Sequence, residues 1–375
     1  ASGQLPGPAI LAASAALILL GSLLIATHCL TLRVLRGQPD PSITPRPFGT
    51  GSALLLTLLW IASIALFEVL TDRGLWKGLA AVLHLLGIAV PVYGLARVAI
   101  GGLGASSRVR IWGSFTTGLI LGTGIAAAAE MTLLLLVLAA LAAYLQMNPQ
   151  QVDALRGLVE VAGQASGIEE ILVRMGPLLA HPLAFLIALG AVSGTVPVIE
   201  ELAKSAVPWM VYDRLSSPAQ GFIVGALSGA AFALFEGLMA SAQTSSNSGF
   251  VLLFRSASSL MHILAAAVAG WGIAAFRKYG QPGRLLGAYA LAVGLHGLWN
   301  AAVAVIVYGG LRASYGGRDT DLLSAILISA GGLVSLGLMA LLPFGLVTLN
   351  RRLRPRVDAA RMGQNPGGAQ SGSLA

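Results

Sequence analysis

Charge is what this sequence has least of. Only 10% of its 375 residues are Asp, Glu, Lys or Arg, against 56% hydrophobic residues, whereas a soluble domain carries about a quarter charged residues. That deficit excludes an ordinary soluble chain, and a mean hydropathy of +0.82 points to a polytopic membrane protein. Cysteine is almost absent: Cys29 stands alone, which excludes an intramolecular disulfide and a cysteine-based metal site. The chain also lacks a phosphate loop, a dinucleotide fingerprint, a serine-nucleophile motif and an HExxH sequence, so the common soluble chemistries have no footing here. Acidic residues are outnumbered 15 to 23 by basic ones. The basic residues lie between apolar segments rather than in one patch, so they bear on topology and not on nucleic acid.

Long apolar runs are what is present. About nine segments are long enough to cross a bilayer, over roughly 8–30, 51–70, 78–100, 114–146, 177–212, 219–242, 250–276, 285–309 and 322–349. The expected fold is therefore all-α, a transmembrane helical bundle. The first segment exceeds a signal-peptide core and lacks a basic flank before it, so it is expected to be a retained helix. The fourth and fifth are long enough to tilt or protrude. Fifteen basic residues fall in the connections after odd-numbered spans and six on the other side, which predicts an external N-terminus and a cytoplasmic C-terminus. The chain divides into a four-span region (1–147), an external amphipathic loop (148–176), a four-span core where the chemistry is expected (177–309), a ninth span with its cytoplasmic end (310–356) and a disordered tail (357–375).

The ionisable residues inside these runs carry the functional signal. Glu200, Glu201 and Lys204 sit in the middle of the fifth span, where each costs about 2.5–3.5 kcal/mol on insertion scales. Groups at such depth mark functional sites. Lys204 is four residues from Glu200 and three from Glu201, so it can reach either carboxylate. Phe232 and Glu236 share a face in the sixth span, Arg255 and His262 in the seventh, and His296 and Asn300 in the eighth. At 1.5 Å per residue, Glu200, Glu236, His262 and His296 lie about 18, 25, 21 and 17 Å from the cytoplasmic ends of their helices. The hydrocarbon core is about 30 Å thick, so all four fall near its middle although chain direction alternates. They are expected to converge. Gly221, Gly225, Gly229, Ala233 and Gly237 form a small-residue stripe at spacing four, which allows close helix packing.

Carboxylates and imidazoles gathered in this way suit the activation of water. Glu200 or Glu201 can act as general base, and Lys204 can keep one of the pair charged. Two histidines and a carboxylate, here His262, His296 and Glu236, suit a catalytic zinc ion with an open water position. Without a metal, Glu200 and His262 would activate the water, while His296 and Asn300 would stabilise the oxyanion. A buried polar network that only pins helices together is the bland alternative.

The motifs also carry a resemblance. Glu200-Glu201-Leu-Ala-Lys204 resembles the EExxK motif of the PrsW family of intramembrane proteases. Phe232 to Glu236 resembles its FxxxE, Arg255 to His262 its third motif, and His296 to Asn300 its final HxxxN. The family is similar to the CAAX-type prenyl endopeptidases and to the multispanning scaffold subunit of gamma-secretase. The resemblance covers about residues 190–305 and implies hydrolysis of membrane-anchored proteins or peptides in a bacterial cytoplasmic membrane. It leaves a metal-dependent and a glutamate-dependent mechanism both open. A proton-coupled transporter is the competing reading, but the first half holds no second copy of the Glu-Glu segment, as an inverted repeat would require. An inactive scaffold is the third. Glu130 in the fourth span is expected to pair with Arg255 or to join the site. His84 is read as a helix contact, and His28, Cys29, Glu68 and His181 as residues near span ends.

Overall fold

The computed structural model describes residues 8–70, 76–104, 106–147, 176, 180–242, 248–315 and 321–355. The amphipathic loop expected at 148–176 and the tail expected at 357–375 lie almost wholly outside these residues. Among the described residues eleven α-helices follow one another: α1 Pro8–Leu35, α2 Thr50–Leu70, α3 Lys77–Ile100, α4 Arg108–Thr117, α5 Thr123–Met147, α6 Pro182–Gly190, α7 Val196–Met210, α8 Pro218–Ala242, α9 Ser248–Tyr279, α10 Pro282–Tyr315 and α11 Asp321–Leu353. Among the described residues nine stretches are long and apolar enough to cross a membrane.

The fourth and fifth spans are each interrupted. Five-residue π-helical turns, Gly118–Gly122 and Ala191–Thr195, join α4 to α5 and α6 to α7. Tilt or protrusion need not absorb all of their length: the π turns take up some of it locally and rotate the helix faces that follow. Such turns occur often at functional sites.

The bundle is built around α8 and α9, whose spans are 83% and 89% buried, while no other span exceeds 50%. The small-residue stripe explains their contact. A Cβ added at Gly225 would lie 2.1 Å from the Ala266 carbonyl oxygen, and one at Gly229 would lie 2.4 Å from that of His262. Only glycine lets these backbones approach so closely.

The connections on the basic side are tied together by polar contacts. A two-residue antiparallel pair joins Ser42–Ile43 to Ser106–Ser107. Asp40 accepts the Arg108 and Val109 amides at the start of α4, satisfying donors that a helix N-terminus leaves free. Asn350, buried in α11, donates to the carbonyls of Ala99 and Gly101 at 2.7 and 3.0 Å, closing the end of α3. At the opposite ends of the helices, Glu68 accepts the Gly249 amide at the first turn of α9, where negative charge is favoured.

A candidate active site inside the bundle

Four helices deliver the sequence-predicted residues to one place. Helix α7 buries Glu200, Glu201 and Lys204 on one face, in agreement with their spacing. Lys204 Nζ donates to Glu201 Oε1 at 2.7 Å, to Glu200 Oε2 at 3.0 Å and to His262 Nδ1 at 2.9 Å. The three N–H groups of the ammonium are thereby all used. Its fourth neighbour is the Phe232 ring, with the centroid 4.2 Å away, a favourable cation–π contact. Lys204 is fully buried, so this set of partners offsets a desolvation penalty of several kcal/mol.

The lysine also fixes the histidine tautomers. An ammonium can only donate, so His262 Nδ1 accepts and Nε2 carries the proton. Nε2 lies 2.7 Å from Glu236 Oε2, an ion-pair distance, and Glu236 is held from its other oxygen by Arg255 at 2.5 Å. His296 is arranged in the same way with the nitrogens exchanged: Nδ1 lies 2.9 Å from Glu201 Oε1, which leaves Nε2 facing inward. The two rings are 4.9 Å apart, edge to face.

Each imidazole therefore has a carboxylate on its outer nitrogen and turns its inner nitrogen toward Glu200. His262 Nδ1 and His296 Nε2 lie 3.9 and 3.8 Å from Glu200 Oε2. Donor atoms of Glu200, His262 and His296 all fall within 4.8 Å of one another. Ligand atoms about 2.0–2.2 Å from a zinc ion sit no more than about 4.4 Å apart, so the spacing of the donor set suits a metal once the Lys204 ammonium gives up the His262 lone pair it occupies. A histidine that ligates a metal usually has a carboxylate or carbonyl on its other ring nitrogen. The carboxylate of this triad differs from the one chosen on sequence. Glu236 stands behind His262, and Glu200 takes the inner position.

The environment is dry on one side only. Among these side chains Glu201 and Lys204 are fully buried and His262, His296 and Glu200 nearly so, whereas Glu236 is 34% exposed. The second oxygen of Glu201 is buried with no hydrogen-bond partner.

Asn300 is bound to the backbone of the fifth span. Its Nδ2 donates to the Val192 carbonyl at 2.8 Å, within the π turn of the fifth span, where the ordinary helical bond is lost. Close packing accompanies that bond, since a Cβ at Gly297 would lie 2.4 Å from the Ser193 oxygen. Arg255 pairs with Glu236 and not with Glu130. Glu130 nonetheless joins the neighbourhood: it interacts electrostatically with Glu200, Glu236, Lys204 and His296, and one of its oxygens is buried without a partner. His84 meets Phe67 edge-on at 5.1 Å, and His181 caps α6. Cys29 is exposed.

Two features went unnoticed in the sequence. Ser228 donates to the Lys204 carbonyl at 2.9 Å; it lies four residues before Phe232 and eight before Glu236, so the shared face was there to be read. Gly118 and Gly122 let the first π turn lie against Ser228 and the Lys204 backbone, for which helical periodicity gives no signal.

The nine-span bundle and this cluster define a membrane protein with a Glu/His centre held between its helices. Residues 161–316 match the model of a family described as PrsW family intramembrane metalloprotease, and the matched segment contains every residue of the cluster contributed by α7 to α10. An intramembrane peptidase is the activity that this match supports. Searches of curated proteins and of solved structures returned no match.

Proposed function

We propose that the chain hydrolyses a peptide bond of a membrane-anchored protein or peptide, using a water activated by the paired glutamates at mid-membrane. The observation that carries this reading is the matched orientation of two imidazoles around Glu200, each with a carboxylate on its outer nitrogen. A purely structural network has no need to turn two carboxylate-backed imidazoles and a third carboxylate toward one point, where the Lys204 ammonium now occupies the His262 lone pair. Glu200, His262 and His296 are the residues that would hold a zinc ion. When bound, zinc supplies a water that ionises near pH 7 and a Lewis acid for the scissile carbonyl.

The other roles follow from the contacts of the chain itself. Glu201 takes the proton of the attacking water on its unpartnered oxygen, while its other oxygen stays bound to Lys204 and His296. Lys204 neutralises the pair of carboxylates and holds them at fixed separation. Glu236, steadied by Arg255, orients His262. Asn300 keeps the π turn in place and so sets the approach of the fifth span to the eighth.

Glu200→Gln and Glu201→Gln test the division of labour. Both should abolish cleavage of a membrane-anchored substrate by purified protein in vesicles. Glu200→Gln should also lower the zinc content measured by mass spectrometry, whereas Glu201→Gln should retain it. Full turnover in both variants defeats the hydrolase reading. Turnover that survives exhaustive chelation, with no metal in the purified protein, removes the zinc and leaves the glutamate chemistry.

A further inference from the structure

A second cavity lies away from the cluster, between α1, α3, α4 and α8. Its volume is about 370 Å³. Twelve of its fifteen lining residues carry no polar side-chain atom; the exceptions are Tyr93, Arg97 and Trp112. Along α3 it extends from Ala89 to Ile100, eleven residues or about 16 Å. An elongated apolar space of this kind suits a single hydrocarbon chain.

The polar residues define one end. Arg97 stands in the last turn of α3, on the face whose connections hold most of the arginines and which the positive bias makes cytoplasmic. Its Nε is buried without a partner, and its guanidinium forms no ion pair or hydrogen bond with any described residue. Tyr93 and Trp112 are both exposed on the outer surface at this cavity, where amphipathic aromatic rings favour the headgroup level. At the other end the walls are Leu227 and Leu234, on the same helix that carries Phe232 and Glu236.

We infer that this cavity binds one anionic phospholipid, its phosphate on the Arg97 guanidinium and one acyl chain along α3 as far as Leu234. An unpaired guanidinium at the mouth of an apolar channel complements such a molecule in charge and in shape. A planar fork of donors matches phosphate geometry, and the negative cytoplasmic leaflet supplies the ligand. The lipid fills the gap behind α8 and so supports the helix that positions Phe232 and Glu236. The inference does not depend on what chemistry the cluster performs.

Full-length protein in nanodiscs tests it through tryptophan fluorescence. Brominated-chain phosphatidylglycerol or brominated-chain phosphatidylcholine is titrated into a background of unlabelled phosphatidylcholine. The difference between wild type and Trp112→Phe isolates the Trp112 signal from the other five tryptophans. Brominated phosphatidylglycerol should quench Trp112 at a concentration at least tenfold lower than brominated phosphatidylcholine. Arg97→Gln should remove that preference, and Arg97→Lys should keep part of it. Ala96→Phe, which narrows the channel and leaves Arg97 in place, should weaken quenching by both lipids and decides the matter if Arg97→Gln fails to fold. Equal quenching by the two lipids, a preference unchanged in a folded Arg97→Gln, or quenching by both lipids unchanged in Ala96→Phe overturns the proposal.

Discussion

Replacing Gly229 with alanine tests whether the packing of α8 on α9 sets the geometry of the site. The added Cβ would stand 2.4 Å from the His262 carbonyl oxygen and 2.8 Å from Ala266 Cβ, whereas ordinary contacts begin at 3.4 Å. Relief of the shorter contact requires α9 to withdraw by about 1 Å, and that helix carries His262. No flexible side chain can absorb the shift, because the obstacle is backbone. Overpacking of this kind destabilises by about 1–3 kcal/mol, and a 1 Å misplacement of a reacting group can lower a rate about 100-fold. Gly229→Ala should therefore lose about two orders of magnitude in turnover, with a lowered melting temperature. Gly332→Ala is the control: its Cβ meets nothing within 4 Å, and alanine is the better helix former by about 0.5–1 kcal/mol. Ala266→Gly in the Gly229→Ala background removes the 2.8 Å contact but not the clash with the carbonyl, so it should not restore activity. Wild-type turnover and melting in Gly229→Ala would refute the idea that this contact positions His262.

Two further substitutions separate structural from chemical roles. Lys204→Met removes the ammonium that occupies the inner lone pair of His262; zinc should then bind more tightly in a metal titration, while stability falls by about 3–5 kcal/mol because two buried carboxylates lose their partner. Unchanged zinc affinity would mean that lysine and metal do not share that nitrogen. Asn300→Leu leaves the Val192 carbonyl unpaired and should lower unfolding stability by about 1–3 kcal/mol; a large loss of turnover with unaltered melting would return Asn300 to the oxyanion.

The sequence carried most of the fold because a bilayer leaves the backbone few choices. Apolar length located the spans, and the three- and four-residue spacing of Glu200, Glu201 and Lys204 correctly placed all three side chains together. The convergence of four helices was legible from depth alone. Rotation about each helix axis was not. Spacing shows that Glu236 and His262 lie at similar depth, but not which edge of the imidazole meets the carboxylate, and that edge decides between ligand and support. Asn300 eluded the reading for a related reason: its partner carbonyl is freed by a π turn, and no hydrophobic period encodes one. The cavity behind α8 was equally hidden, since an apolar wall and an apolar core have the same composition.

The balance of charge gives a final argument about what the cluster is for. Glu200, Glu201 and Glu236 face two cations, Lys204 and Arg255. Glu130 brings a fourth carboxylate into the same field and has a buried oxygen with no partner. With all four ionised and both imidazoles neutral, the region would be short of two positive charges, a deficit that a bound cation or protonation of a carboxylate must relieve. A network evolved only to pin helices would close that gap with its own side chains. A divalent ion at Glu200, His262 and His296 closes it without any change of residue. Glu130→Gln keeps the shape and removes one of the four charges, so it should leave the fold intact and weaken zinc binding by about tenfold or more, as the loss of an outer-shell partner does. Calorimetric titration of zinc into the purified variant measures this, and an affinity equal to wild type would show that Glu130 lies outside the charge balance of the site.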